Sequence, residues 1–316
     1  MNPAPTGAEA QRALGLAEEA NQLVQQAKKS LESTSGFWSF AVDKSDKQRN
    51  AVALYKSAAK AYVEAKQYEE AGKALDAAVE IRENQIKKER DQEDIVISSK
   101  EVAYLRVDAF NAYKNTNFEA AMRCMGLALE GFRRFGDASS FARAASVAAE
   151  ALENHDDRKG AMALYGEMGR RYQESGKFES NAATQYEKEA ELAALEGDYF
   201  KAVESYEKAA DLRLPSISSS TAKKNWFKAG LCALATKDLV TVQRNLQTYL
   251  GKDPLWERDR DYQLLSDLME AIGAGDQQAF TQKVFAYDQM SKFKPWETAI
   301  LVKIKNGIEE ADNEFA

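Results

Sequence analysis

An alanine followed by residues at offsets of three, four, seven and eleven recurs down this chain. One copy reads Ala51, Leu54, Tyr55, Ala58, Tyr62; a second Ala121, Cys124, Met125, Ala128, Phe132; a third Ala161, Leu164, Tyr165, Met168, Tyr172. A looser copy runs Ala202, Ser205, Tyr206, Ala209. These offsets trace one face of an α-helix. The small residue lets a neighbouring helix approach, and the large residues above it fill the gap. Copies that start at 121, 161 and 202 are separated by two helices and their turns, the spacing of a helical-hairpin repeat array. Such an array is a surface for holding other proteins. Strand-type alternation is absent between turn signals, and no proline falls between Pro5 and Pro215. Helix interiors exclude proline, so the pattern predicts an all-α protein.

Short polar or glycine-containing segments mark the turns: residues 65–70, 114–119, 135–140, 154–160, 174–180 and 196–201. One helix fits between each pair. Residues 8–33 predict a first amphipathic helix. The highly charged stretch 83–94, ENQIKKERDQED, predicts either a helix extension or a solvated excursion. The clearest break in composition is LPSISSST at 214–221. The expected organisation is therefore a right-handed superhelical array of tetratricopeptide-like hairpins over 1–214, then a C-terminal helical bundle over 215–316. The chain is expected to end, after its last helix, in an acidic tail.

Composition narrows the function. The chain has 316 residues, 44% apolar and 29% charged, with a net charge of −7. That is an ordinary globular composition, and it gives no general case for nucleic-acid binding. No apolar run reaches the length of a membrane span, and the first residues lack a signal-peptide pattern. The two cysteines lie far apart, with Cys124 on a core face, which predicts a reduced, cytosolic protein. A single histidine, His155, argues against a zinc site or a histidine-based triad. Phosphate-loop, dinucleotide, HExxH and CxxC motifs are missing. The expectation is a non-enzymatic protein without cofactor or metal.

Three features are candidates for function. The first is Phe37, Trp38 and Phe40 in GFWSFAV, between two helices. Either these rings fold back on the first helices, or they form a tip that touches a membrane. In the second case each ring would bury about 1.5–3 kcal/mol of apolar surface. Lys28, Lys29, Lys44 and Lys47 would add about 1 kcal/mol each against anionic lipid. The second feature is a set of basic residues, Arg106, Lys114, Arg143, Lys188 and Arg260, that would attract an acidic partner if they lined one edge. The third is the end of the chain, IEEADNEFA, where Phe315 follows four carboxylates as a candidate anchor. A generic scaffold that binds a short peptide in its concave groove fits the same features.

The residues also resemble the soluble NSF attachment proteins (SNAPs), most closely the α type, along nearly the whole chain. AEEANQLVQQAKKS followed by FWSF resembles the family's first helix and hydrophobic membrane loop. AVALYKSAAKAYVEAKQYEEAGKAL is similar to its second and third helices. AKKNWFKAGLCAL, RDYQLLSDLMEA and FAYDQMSKFKPWETAILVKIKNGIEE resemble its later segments. The resemblance implies a twisted sheet of helical hairpins capped by a helical bundle. It implies an adaptor that is peripheral on membranes and serves vesicle-mediated transport, including ER–Golgi traffic. Several copies would wrap a SNARE four-helix bundle and recruit the hexameric ATPase NSF to pull it apart.

Residue by residue, Phe37, Trp38 and Phe40 match the membrane loop, without the glycines that follow it in the family. Arg143 falls where the family has a SNARE-contacting lysine, and Lys114, Lys188 and Arg260 match further basic positions on that side. Asn115, Asp137 and Thr184 stand where the family is basic. Glu270 and Asp238 match acidic positions that meet NSF. Phe315 replaces the family's penultimate leucine, which stimulates the ATPase. The segment around 83–94 is an insertion relative to the α type.

Overall fold

The computed structural model describes residues 7–32, 41–214 and 220–314, with backbone only for 41–43 and 309–314. Among the described residues there are fourteen α-helices. Packing divides the chain into two compact units, Met1–Ala148 and Ala149–Ala316, with the boundary inside one helix. No helix among the described residues is long and apolar enough to cross a membrane.

The first unit contains α1 (Gly7–Glu32), α2 (Ala41–Glu64), α3 (Tyr68–Ile86), α4 (Gln92–Tyr113), α5 (Phe118–Arg134) and the start of α6 (Ala138–Asn154). From α1 to α5 each helix packs on the next. The alanines of the repeat pattern sit at the closest approaches: Ala51, Ala58, Ala121 and Ala128 are fully buried. The larger residues of the pattern fill the seam, and Tyr55, Tyr62, Met125 and Phe132 are all buried. Each Cβ that is absent also matters. A Cβ on Gly72 would fall inside the ring of Tyr113 on the neighbouring helix.

The second unit holds α7 (Arg158–Glu174), α8 (Glu179–Glu196), α9 (Tyr199–Arg213), α10 (Ser220–Ala235), α11 (Leu239–Lys252), α12 (Arg260–Gly273), α13 (Gln277–Met290) and α14 (Pro295–Glu314). A 3-10 turn, Pro254–Arg258, joins α11 to α12. Helices α7 to α10 pack in sequence, and α10 then becomes the centre around which α11, α12 and α14 close. One continuous core runs from Ala190 to Ile308. Its middle is an aromatic stack: Trp226 lies on Tyr249 with centroids 5.6 Å apart, and Trp256 from the 3-10 turn contacts Trp226 at 5.5 Å and Tyr262 at 5.4 Å. Such pairs add specific geometry to a large buried area.

One turn design recurs. A residue with φ between 58° and 80° ends the turn at Lys66, Gly136, Asp156, Gly176, Gly197, Lys237 and Gly275. In five of these the next residue is an aspartate whose carboxylate accepts a backbone N–H of the following helix: Asp137 from Ser140, Asp157 from Gly160, Asp198 from Lys201, Asp238 from Thr241 and Asp276 from Ala279. Each satisfies an otherwise unpaired donor at the helix start. The design marks the helix ends at three of the predicted turn segments, 135–140, 154–160 and 196–201.

One expectation is refined and one changes. The stretch 83–94 is a helix extension as far as Ile86, then a short turn, then the start of α4. α3 stops at Ile86, and Asp91 caps α4 by accepting the Glu93 and Asp94 N–H groups. Five of its charges, Lys87, Lys88, Glu89, Arg90 and Asp91, occupy the turn, while Glu83 lies in α3 and Glu93 and Asp94 open α4. The acidic tail after the last helix is corrected, because α14 continues to Glu314. Ile308 is buried and anchors the helix to the core, and beyond Gly307 no proline or glycine interrupts the helix.

Candidate functional site

The predicted aromatic tip, Phe37, Trp38 and Phe40, and the predicted anchor Phe315 lie outside the described residues. The remaining candidates can be placed, in each unit by itself.

In the first unit, Lys114 ends α4 and is half-buried, and its ammonium donates to Asn111 Oδ1 at 3.2 Å. Arg143 is exposed on α6. Its neighbours Phe141, Ala142, Ala144 and Ala145 face the core, so the helix period turns position 143 outward. Arg106, a further basic candidate, does not offer a free charge. Its guanidinium pairs with Glu83 across α3 and α4 and donates to the Leu127 carbonyl at 3.5 Å. Asp137 accepts the Ser140 N–H and lies 3.9 Å from Lys100.

In the second unit, Lys188 is exposed on α8, yet it is oriented. Its ammonium stands 5.1 Å from the centroid of the Tyr165 ring and 3.5 Å from the Tyr165 hydroxyl. That hydroxyl in turn donates to Glu153 Oε1 at 2.7 Å. Burial, and then the Glu153 carboxylate, raise the Tyr165 pKa well above the ordinary phenol range, so the donor stays protonated. Thr184, on the same helix, accepts from Arg213 at 3.0 Å. Arg260 is exposed at the first position of α12.

The two acidic candidates behave differently. Glu270 is exposed near the end of α12, and its charge helps raise the pKa of Lys283, after the dominant Lys283–Asp267 contact at 2.9 Å. Asp238 is exposed but committed to the cap of α11. It accepts the Thr241 N–H at 3.0 Å and the Thr241 hydroxyl at 2.6 Å. These bonds hold its pKa below the usual carboxylate value. Four other turns carry an aspartate in the same cap, so position 238 has a structural reason to be acidic as well as any binding role.

Both cysteines are core residues. Burial pushes the Cys124 thiol up to about 11, and the Cys232 thiol higher still. Neither is poised to react at neutral pH.

Two groups of polar residues were not apparent from sequence reasoning. Lys228 is largely buried, 5.4 Å from the Tyr206 ring centroid, with its pKa lowered first by desolvation and then by Lys294. Nearby Glu297 is buried and its pKa is raised by desolvation, while it accepts the Lys294 N–H at 2.8 Å and so caps α14. The readable signal was Pro295 at the first helical position with Glu297 two residues on, though Lys294 is not itself a capping residue. The second group joins Lys44 of α2 to Arg82 of α3 and Lys88 of the following turn, and no local pattern connects them.

A family model described as soluble NSF attachment protein, SNAP, matches residues 18–309. The chain is 37% identical over 306 residues to a probable vesicular-fusion protein sec17 homolog of Neurospora crassa, covering 95% of this chain and 100% of that one. It is 34% identical over 302 residues to the corresponding protein of Schizosaccharomyces pombe, with 94% and 99% covered. Human alpha-soluble NSF attachment protein is 28% identical over 298 residues, with 93% and 96% covered.

Proposed function

Because the chain belongs to the soluble NSF attachment protein family, we propose that it is the adaptor between an assembled SNARE four-helix bundle and the ATPase NSF in vesicle fusion. The observation that carries this reading is the end-to-end match. Relatives named as vesicular-fusion and NSF attachment proteins align over more than nine-tenths of this chain.

The work of such an adaptor is positional. The hairpin array, residues 1–214, holds the SNARE bundle, and the C-terminal bundle, 215–316, docks to NSF. This is a division of roles, since packing divides the chain elsewhere. Lys114, Arg143, Lys188 and Arg260 face the acidic SNARE surface, and Asp238, Glu270 and Phe315 meet NSF. Phe37, Trp38 and Phe40 touch the membrane and place the protein peripherally on it.

To transmit force, the seams between helices must resist sliding. Here they are pinned by buried tyrosines whose hydroxyls donate across the packing interface. Tyr62 donates to Asn21, Tyr113 to Asp76, Tyr186 to Gln173 and Tyr249 to Glu207, at 2.5–2.9 Å. A ring in the core and a bond at its tip fix one register, because a shift would strand a buried hydroxyl at a cost of about 1–3 kcal/mol.

The test is a pull-down on a preassembled, soluble SNARE bundle. The chain should bind the bundle and not its separate SNAREs, and added NSF with ATP should release them as monomers. Binding to a short peptide with no preference for the assembled bundle would overturn the reading in favour of a peptide scaffold.

A further inference from the structure

The charged turn at 87–91 has no part in the adaptor role just described. It packs against the beginning of α2, where a pocket of 340 Å³ lies between α2, the end of α3 and the turn. Four cations line this pocket: Lys44 and Arg49 from α2, Arg82 from α3 and Lys88 from the turn. One carboxylate, Glu89, shares the lining; its Oε1 accepts the Ser98 hydroxyl at 2.9 Å, and its buried Oε2 has no hydrogen-bond partner among the described residues. Arg82 is paired with Glu101, so the positive charge left without an ion pair among the described residues is that of Lys44 and Lys88. Arg49 meets Asp46 only at 3.5 Å, with both side chains 66% exposed, a pair of little consequence in water.

The pocket is built rather than incidental. Arg82 is 18% exposed and held from two sides, by Gln85 Oε1 at 2.9 Å and by Glu101. Gln85 in turn donates to Gln48 at 3.2 Å, which ties α3 to α2 across the pocket. The fixed guanidinium retains a buried donor, Nε, without a hydrogen-bond partner among the described residues. Lys44 and Lys88 are exposed, on long stems able to close over a guest. A fixed guanidinium with mobile ammonium groups suits a ligand carrying several anionic oxygens on one centre. A phosphomonoester carries about −1.5 to −2 at neutral pH and three strong acceptors. A diester carries one charge and matches the pocket less well.

The position along the chain indicates where such a group would come from. α2 begins at Ala41, directly after Phe40, and Lys44 stands in its first turn. We propose that this pocket binds the phosphomonoester headgroup of an acidic lipid, phosphatidic acid or a phosphorylated inositol lipid. The bound headgroup orients the protein on the bilayer while the aromatic segment inserts. The lipid source rests on the membrane-contact reading above, whereas the affinity for a phosphomonoester rests on the pocket alone. The charged turn at 87–91 thereby acquires a role, since it supplies Lys88.

The experiment uses the full chain and the double variant Lys44→Ala/Lys88→Ala. Both side chains are exposed, so the fold is retained, and circular dichroism checks this. Flotation compares phosphatidylcholine vesicles carrying phosphatidylinositol bisphosphate with vesicles carrying phosphatidylserine at equal total charge. The wild type should prefer the phosphoinositide. The double variant should lose roughly tenfold on that vesicle and much less on the serine lipid. Titration with soluble inositol trisphosphate should perturb the wild type and not the double variant. Equal wild-type affinity for the two vesicles, with no inositol trisphosphate binding, overturns the proposal and reduces the lysines to diffuse charge. Inositol trisphosphate binding without any vesicle preference overturns the lipid source in favour of a free phosphate. Failure of the membrane reading has a different signature: Phe37→Ser/Trp38→Ser/Phe40→Ser would leave binding to neutral vesicles unchanged while the preference for phosphoinositide persisted.

Discussion

Replacing a helical glycine by alanine should have opposite signs at two positions of the first unit. In an open helix interior the change favours folding by about 0.5–1 kcal/mol, because glycine loses more backbone freedom. Gly126 in α5 meets that condition, since it is exposed and an added Cβ would touch nothing within 4 Å. Gly72 in α3 does not, because its Cβ would enter the space of the Tyr113 ring. That ring has little room to retreat. Tyr113 is 4% exposed, and its hydroxyl is tied to Asp76 at 2.8 Å. Overpacking of this kind costs about 1–3 kcal/mol, so the steric loss exceeds the propensity gain. Gly72→Ala should destabilise by about 1–2 kcal/mol and Gly126→Ala should stabilise by up to about 1 kcal/mol. In a unit of this size the thermal midpoint should move by roughly 3–4 °C per kcal/mol, down in the first variant and up in the second. Scanning calorimetry reads the shift, and hydrogen exchange of the α3 and α4 amides localises it. A rise in midpoint for both variants would refute the claim that Tyr113 closes on Gly72 and with it the account of the repeat seams.

Further outcomes separate binding from stability. Asp238→Asn keeps an N-cap acceptor and should leave the thermal midpoint unchanged while weakening NSF recruitment. Asp238→Ala should lower both, and a recruitment loss only in the alanine variant would make the acid purely structural. Because the Asp238 pKa is held below the usual carboxylate value, its cap contributes above the unfolded-state pKa and is lost as pH falls through the folded one. A midpoint difference between wild type and Asp238→Asn should therefore appear only in acid. Arg143→Glu/Lys188→Glu should weaken SNARE-bundle binding, more at low salt, since the screening length is about 10 Å at 0.1 M; a salt-independent, unchanged affinity would remove these residues from the interface. Phe37→Ser/Trp38→Ser/Phe40→Ser should sharply weaken binding to neutral liposomes and spare disassembly of soluble SNARE bundles, whereas a drop in thermal midpoint with intact lipid binding would make the rings core. Phe315→Ala should slow NSF-driven disassembly with SNARE affinity intact, and equal time courses would deny it an anchoring role.

The sequence by itself determined the class of the fold, the helix-by-helix order and most element ends. The offsets at Ala51, Ala121, Ala161 and Ala202 are a property of one helix face, and burial follows them: all four alanines are fully buried. The turn pattern was equally local, because an αL residue followed by an aspartate cap acts within a few residues, as in Gly197-Asp198 and Gly275-Asp276. The family was legible too, since it rests on the order of segments along the chain.

Tertiary structure alone decided which distant groups meet. That Arg106 is occupied by Glu83, that Lys188 is steadied by Tyr165, and that Trp256 enters the core from a 3-10 turn follow from how helices stack. The same holds for Lys44 and Lys88, brought to one pocket only when α3 folds back along α2. Helical periodicity is a short-range signal that repeats every few residues and fixes which face is apolar. Pairings across a seam depend on register and on the volumes of both partners, and these are settled only when the two faces close.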